Sequence, residues 1–355
     1  MRKAVTLILF VIFVAGVAFA TYRWATNEYS AAGPLQQAMR MEVAPGSSVR
    51  GVIRQLGERG VIEEPRAVAL YLRTHNLQPK IKAGTYEFPA GSSPAQVFKM
   101  LEQGAVVLEQ LTVVEGSTFA ELRRALEEHS AVTSVLKGKT DEEVMASIGH
   151  ANELPEGRFF PDTYRFAART TDADILKLAY DSMARVLAQA WEQRKEDLPI
   201  KTPYEALTLA SIVEKETGLA SERPRIAGVF TTRLRTGMRL QSDPTVIYGI
   251  GAKYDGDIRT KDLSTDTPYN TYTRGGLPPT PIALPGRESV MAVVRPEETG
   301  EVFFVATGDG TGAHHFSKTL EEHNEAVRQF LARLRQQPQS SRAPGPSGKP
   351  VSAKP

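Results

Sequence analysis

No part of this chain restricts its possible folds more than the opening MRKAVTLILFVIFVAGVAFATYRW. Two cations, Arg2 and Lys3, precede an uncharged apolar run from Ala4 to about Thr21. In hydrocarbon a spanning segment must satisfy its own backbone polar groups, so such a run is committed to a helix, and this one is just long enough to cross a bilayer. The cations favour an N-terminus kept in the cytoplasm, and Tyr22 and Trp24 lie where an interfacial aromatic anchor sits. A cleaved signal peptide competes with a retained anchor, because Ala18-Phe19-Ala20 has the small-x-small pattern of a cleavage site. On either reading the chain beyond about residue 24 is expected to be exported.

With 355 residues the chain is long enough for two or three domains. A formal net charge of +2 without any dense basic stripe argues against nucleic acid as a partner. The absence of cysteine excludes disulfides and thiolate chemistry, on whichever side of a membrane the protein lies. The other end, QQPQSSRAPGPSGKPVSAKP, has Val351 as its one large apolar residue; it cannot bury a core and is expected to be disordered.

One pattern occurs three times in the N-terminal half: PGSSVRGVIRQL from Pro45, AGSSPAQVFKML from Ala90 and EGSTFAELRRAL from Glu115. Each time Gly makes a turn, a hydroxyl residue caps a helix, and the spaced apolar residues form its buried stripe. GVIEEPRAVALYLRTH adds a helix starting near Glu64, AGTYEF a short strand, and AVVLEQLTVVEG a bridging strand. This part resembles the LysM-like modules that bind amino-sugar glycans in bacterial walls; a purely structural spacer is the competing reading. From Leu154 onward short helices alternate with loops dense in aromatic and polar residues, which line clefts more often than they fill cores. EVFFVATGDGTGAHHF reads as a strand, a Gly-rich turn and a return strand.

Within that half, TPYEALTLASIVEKET has a clear helix start: Thr202 at the cap, Pro203 at the first helical position and Glu205 three residues after the cap. Ala206, Leu209, Ala210, Ile212 and Val213 form an apolar stripe, with Leu207 at its edge and Lys215 opposite, in solvent. Glu214 and Glu216 end the helix. Residues two apart do not face each other on a helix, so these carboxylates cannot act as a shared pair. Glu216 lies over the bulkier part of the stripe, where burial would favour its protonated form and suit it to general-acid work. Spacing alone leaves open Glu216, Glu214, or two solvated groups at a helix end.

At this point the residues become recognisable. LASIVEKETGLASERPRIAGVFTTRLRTGMRLQSDPTVIYGIG, followed by TPYNTYTRGGLPPTPIALPG, resembles the endolytic murein transglycosylase (YceG-like) family. The likeness runs in order through the N-terminal anchor, KAGTYEF, EGRFFPDTYRF and FFVATGDGTGAHHF, and leaves out the C-terminal tail. The resemblance implies an inner-membrane, single-pass enzyme that cuts nascent peptidoglycan strands internally, leaves 1,6-anhydro-N-acetylmuramic acid ends, and works in the periplasm beside peptidoglycan synthases and penicillin-binding proteins. It also implies that the second glutamate of the Glu-Lys-Glu triplet, Glu216, is catalytic.

Hydrolysis of a glycosidic bond ordinarily needs two carboxylates. A lytic transglycosylase can manage with one: Glu216 would protonate the leaving oxygen, the sugar's N-acetyl group would stabilise charge at C1, and the ionised Glu216 would take the proton of the C6 hydroxyl as it closes on C1.

Other residues have two readings each. Asp243 in QSDPTVIYG is a helix cap before Pro244 or a second acid, and Gln241 is a substrate-cleft residue by the resemblance. Tyr269, Asn270 and Tyr272 offer rings and an amide to a sugar, or a packed loop. Glu222 and Arg233 would form an ion pair that orients Glu216 or only stabilises their helix. Asp162 reads as a turn before a cleft residue. His314 and His315 are adjacent and would point to opposite faces of a strand; with His323 they have no metal-ligand spacing, so neither metal nor any other cofactor is expected.

The expected fold class is α+β: an N-terminal transmembrane helix, a small LysM-like α/β module, then a mixed α+β catalytic domain with a central Glu-bearing helix. The expected divisions are a cytoplasmic N-terminus (1–3), the anchor (4–21), a linker (22–40), the LysM-like module (41–104), a bridging region (105–150), the catalytic domain (151–335) and the tail (336–355). Two other functions compete with the transglycosylase: a hydrolytic muramidase using Asp243 or Glu222 to activate water, and a non-catalytic wall-binding scaffold.

Overall fold

A computed structural model describes residues 2–336, so the tail read as disordered, beyond Gln336, lies outside the described residues. The chain divides into two compact units, each α+β, with the boundaries falling at Gln110–Leu111, Tyr164–Arg165 and Thr170–Thr171.

The first unit begins with α1 (Arg2–Ser30), a helix long and apolar enough to cross a membrane. The helix does not stop at Thr21. Residues 22–30, read as the start of a linker, continue it, with Ala25 buried and Tyr29 stacked on Tyr71 at 3.9 Å. There follow β1 (Met39–Val43), α2 (Val49–Glu58), α3 (Pro65–Thr74), β2 (Gly84–Phe88) and α4 (Pro94–Gln103). β1 and β2 pair antiparallel with Met41 opposite Tyr86, and the alternating inward residues Met41, Val43, Tyr86 and Phe88 meet Val52, Leu56, Val97 and Leu101 from the helices. Gly84 sits at φ +142°, and a Cβ there would come within 2.4 Å of Val106, so the strand needs glycine at that point.

The repeated Gly-Ser/Thr pattern builds the same local structure three times. Gly46, Gly91 and Gly116 each have a left-handed φ, and two residues later Ser48, Ser93 and Thr118 accept a backbone N–H of the first helical turn. The third repeat opens α5 (Phe119–Glu128), in the second unit.

Between α4 and α5 lies β3 (Leu108–Thr112), within the stretch expected as a bridging strand; it pairs with β4 (Thr163–Ala167) after α6 (Asp141–Ser147). The second unit continues through α7 (Asp172–Glu192), α8 (Pro203–Glu216), α9 (Arg223–Arg235), α10 (Asp243–Ile250), α11 (Thr260–Ser264) and α12 (Arg287–Val294). β5 (Phe303–Ala306) and β6 (His314–Ser317) form the expected hairpin, with Phe304 opposite Phe316, and α13 (Leu320–Gln336) packs on it.

The core of this unit gathers round α8, against which α7, α9, α10 and α12 pack. Residues Ala206–Val213 are buried all the way round, including Leu207, Thr208 and Ser211, so α8 is a core helix and not the one-sided helix its stripe suggests. The polar Ser211 is accommodated because its hydroxyl donates to the Thr208 carbonyl and accepts the Ile282 N–H. α9 passes so close to the chain at Glu297 that a Cβ on Gly228 would meet the Glu297 carbonyl oxygen at 2.0 Å.

Candidate active site

Thr202 starts α8 as its cap, accepting the Glu205 N–H at 3.1 Å, and the helix ends on Glu216, after which Thr217 is extended. Both glutamates therefore fall in the last turn, and the neighbouring elements treat them differently.

Glu214 is consumed by the fold. Its side chain is 5% exposed and accepts the Gly286 N–H (2.9 Å), the Ser289 hydroxyl (2.7 Å) and Arg223 Nη2 (3.1 Å). Gly286 is the cap of α12, so the carboxylate also neutralises a helix N-terminus. Arg223, itself buried, reaches Glu115 and Glu288 as well.

Glu216 is half-buried and among the described residues has one hydrogen bond, from the Ser242 hydroxyl to Oε1 at 2.5 Å. Burial pushes its carboxyl up from 4.5 to about 7; the Ser242 bond holds it down, the Asp243 charge raises it further and the Arg233 charge opposes that rise. A group with that value holds its proton up to neutral pH and can release it to a substrate.

Ser242 is fixed at the start of α10 by a hydroxyl network. Its N–H donates to Thr271 Oγ1 (3.0 Å), Thr245 Oγ1 lies 2.9 Å from the same Thr271 oxygen, and the Gln241 N–H donates to the Thr271 carbonyl (3.2 Å). Gln241 has φ +50°, a conformation non-glycine residues rarely adopt, and presents an exposed side chain beside Ser242. The buried Arg233 guanidinium donates to the carbonyls of Leu240 and Val302, each at 2.7 Å, which holds the strand of chain leading into Gln241.

Asp243 is not the helix cap. Ser242 occupies that position, its hydroxyl is directed to Glu216 instead of the helix, and Asp243 is the first helical residue. The Asp243 carboxylate accepts the Tyr272 hydroxyl at 2.6 Å; burial raises its pKa and that bond lowers it. Glu216, Ser242, Asp243 and Tyr272 thus form one cluster, linked by hydrogen bonds and charge.

The remaining expected residues lie elsewhere in the network. Asn270 is fully buried: its amide donates to the carbonyls of Asp262, Leu263 and Thr265, and its Oδ1 accepts the Tyr272 N–H, so it shapes the loop that aims Tyr272. Tyr269 places its hydroxyl 2.9 Å from that of Thr280 and its ring edge-on to Tyr248. The expected Glu222–Arg233 ion pair is not formed. Glu222 accepts both the His314 N–H and Nδ1 (2.9 and 2.8 Å), because β6 passes beside the turn before α9, and Arg233 is taken by carbonyls. Asp162 makes a turn, its carboxylate accepting the Thr163 N–H.

Reading the sequence missed Ser242, Thr271, Arg223 and Glu156. Glu156 is a second buried carboxyl, raised by burial to about 7 and held by the Phe119 N–H and the Tyr248 hydroxyl, both at 3.0 Å. The signal for Ser242 was available in a hydroxyl preceding an Asp-Pro helix start; nothing local marked the other three.

Fold and site together define a mixed α+β protein with a half-buried carboxyl, raised toward neutrality, at the end of a core helix. The YceG-like family model matches residues 41–329, and the chain belongs to that family. Among its relatives are the endolytic murein transglycosylases of Bacillus subtilis strain 168 (30% identical over 313 residues, 83% of this chain and 85% of that protein) and Streptococcus pneumoniae serotype 2 (26% identical over 322 residues, 81% of this chain and 58% of that protein). A YceG-like protein of Listeria monocytogenes, solved at 2.6 Å, is similar over 81% of this chain and 99% of its own, with 30% identity and a TM-score of 0.51.

Proposed function

We propose that this protein is an endolytic lytic transglycosylase of peptidoglycan, in which Glu216 cleaves the bond between N-acetylmuramic acid and N-acetylglucosamine within nascent strands. The observation that carries the reading is the contrast at the end of α8: Glu214 saturated with donors, Glu216 half-buried, with one donor and a carboxyl raised to about 7.

In the first step the Glu216 proton passes to the glycosidic oxygen as the C1–O bond breaks, and the substrate's own N-acetyl group stabilises the charge left at C1. Glu216, now ionised, is held by the Ser242 hydroxyl and faces the Arg233 charge. It then accepts the proton of the C6 hydroxyl while that oxygen bonds to C1. The carboxyl is restored, no water enters, and the product ends in a 1,6-anhydro sugar. An intramolecular nucleophile has a high effective concentration, so one carboxyl suffices where hydrolysis takes two.

Tyr272 and Asp243, with the exposed Gln241 side chain, lie next to Glu216 through Ser242 and would meet the sugar on the same side. The apolar run of α1 is read as a retained single-pass anchor in the cytoplasmic membrane, with both units on the periplasmic side. The first unit is read as a LysM-like glycan-binding module (41–104) and the region from about 151 to 335 as catalytic. Strand termination beside peptidoglycan synthases, including penicillin-binding proteins, is the cellular role this reading supports.

A second reading, hydrolysis, is favoured by one observation: Asp243 is a carboxylate close enough to raise Glu216, and would serve as the missing base. Mass spectrometry of muropeptides separates the readings. Uncrosslinked and crosslinked peptidoglycan are digested with the parent protein and with Glu216→Gln and Asp243→Asn. Anhydro ends that vanish with Glu216→Gln and persist with Asp243→Asn are expected. Hydrated reducing ends lost in both variants would establish the hydrolase instead, and no new ends from a folded, glycan-binding parent would mean a scaffold.

A further inference from the structure

In α1 and α3 the structure holds a feature that the cleavage reaction does not use. α1 runs without a break from its apolar run into the body of the first unit, where Tyr22, Ala25 and Tyr29 lie against α3. The Tyr22 ring stacks on His75 (5.5 Å between centroids) with its hydroxyl 3.3 Å from Nε2, and Tyr29 stacks on Tyr71 at 3.9 Å. Advancing along α1 therefore means moving back along α3. The two helices are antiparallel, and the C-terminal end of α3 points toward the apolar run.

The level of the membrane follows from length. The uncharged run from Ala4 to Thr21 rises about 27 Å at 1.5 Å per residue, against a hydrocarbon core of about 30 Å. Tyr22, the next residue, then lies at the hydrocarbon edge, and His75 stacked on it lies at the same height. α3 ends there: Asn76 takes a left-handed φ of +51° and the chain turns into a loop whose Leu77 is 46% exposed. From Arg73 to Ala83 the sequence RTHNLQPKIKA has three cations and no acidic residue, and Arg73, Lys80 and, on α1, Arg23 are exposed.

We infer that this loop, residues 75–83, rests on the bilayer surface, with Leu77 set among the headgroups and Arg73 and Lys80 against anionic phospholipid. An apolar residue flanked by cations at the end of a rigid helix pair suits that surface and no interior. Because α1 has no hinge between membrane and unit, this contact would fix the height and tilt of the first unit. The inference rests on α1 being retained as an anchor.

The chain has no cysteine, so one introduced residue gives one label. Full-length Leu77→Cys, Glu64→Cys and Val11→Cys proteins, each carrying a polarity-sensitive fluorophore, are reconstituted into phosphatidylcholine vesicles with and without phosphatidylglycerol. Glu64 caps the opposite end of α3, about 15 Å away along the helix axis. Quenching is read with nitroxide lipids labelled at the headgroup or deep in the acyl chain. Severalfold stronger headgroup quenching at 77 than at 64 is expected, falling at least twofold without phosphatidylglycerol or with Arg73→Glu and Lys80→Glu together. Equal quenching at 77 and 64, with Val11→Cys still quenched by the acyl nitroxide, would leave the anchor standing and overturn the surface contact. Strong quenching at 77 that ignores lipid and protein charge would overturn the anionic part. No acyl quenching at 11 would remove the anchor and this inference with it.

Discussion

Two carboxylates two residues apart should respond in opposite directions when neutralised. Glu216 has an ordinary value of 4.5 and sits at about 7 in the fold. Between those values the folded protein keeps a proton that the unfolded chain has released, so stability falls as pH rises from 4.5 to 7 and stays lower above it. At 1.36 kcal/mol per pH unit the loss is about 3 kcal/mol. Glutamine cannot titrate, fits the same space and can still accept the Ser242 hydroxyl. Glu216→Gln should therefore be more stable than the parent by up to about 3 kcal/mol at pH 8, with the difference vanishing near pH 4.5. For a domain of 150–250 residues this is a rise of about 6–12 °C in Tm. Glu214→Gln should do the reverse. It removes the charge facing a buried Arg223 and weakens the bonds from Gly286 and Ser289, costing about 2–3 kcal/mol at pH 8, at the low end for a broken buried pair because Arg223 keeps Glu115 and Glu288. The assay is differential scanning fluorimetry of the purified proteins at several pH values from 4.5 to 8. A Glu216→Gln protein less stable than the parent at pH 8, or equally shifted at every pH, would refute the account of Glu216 as a carboxyl strained by burial.

Further expectations concern the groups around that carboxyl. Ser242→Ala removes a bond to the charged form; bonds to charged groups contribute about 1.5–3 kcal/mol, less where partly exposed. The high-pH limb of the kcat/KM profile, where the acid is lost near neutrality, should move up by about one pH unit, and an unmoved limb would mean that another group titrates. Asn270→Ala leaves three loop carbonyls and the Tyr272 N–H without their partner, which should cost about 3 kcal/mol or more by urea denaturation. Gly228→Ala forces a Cβ against the Glu297 carbonyl; a loss of about 1–3 kcal/mol or more is expected, and an unchanged Tm would show that the chain at Glu297 yields freely.

Much of the local structure was legible because it depends on neighbours in sequence. The Gly-Ser/Thr turns, the caps at Ser93, Thr118 and Thr202, the β5–β6 hairpin and the apolar run of α1 all follow from interactions a few residues long. The continuation of α1 to Ser30 was not legible, since Thr21–Ser30 is polar enough for a linker and is helical because α3 supplies stacked rings. The site was half legible. Apolar spacing placed Glu216 over a buried face, but Asp243 looks like a cap in any local reading, and only a carboxyl arriving from α8 diverts the Ser242 hydroxyl from that helix.

By itself, then, the sequence determined the capped helix starts, the hairpin turn, that one segment suits a membrane, and that two glutamates end the same helix on different faces. Tertiary structure decided what surrounds each glutamate. Arg223, Gly286 and Ser289 come from far along the chain to surround Glu214 with donors, while among the described residues Ser242 is the one hydrogen-bond donor to Glu216. A carboxyl's proton affinity depends on how many donors and charges replace the water it loses, and that count is settled by packing between distant elements, which no spacing of residues along the chain encodes.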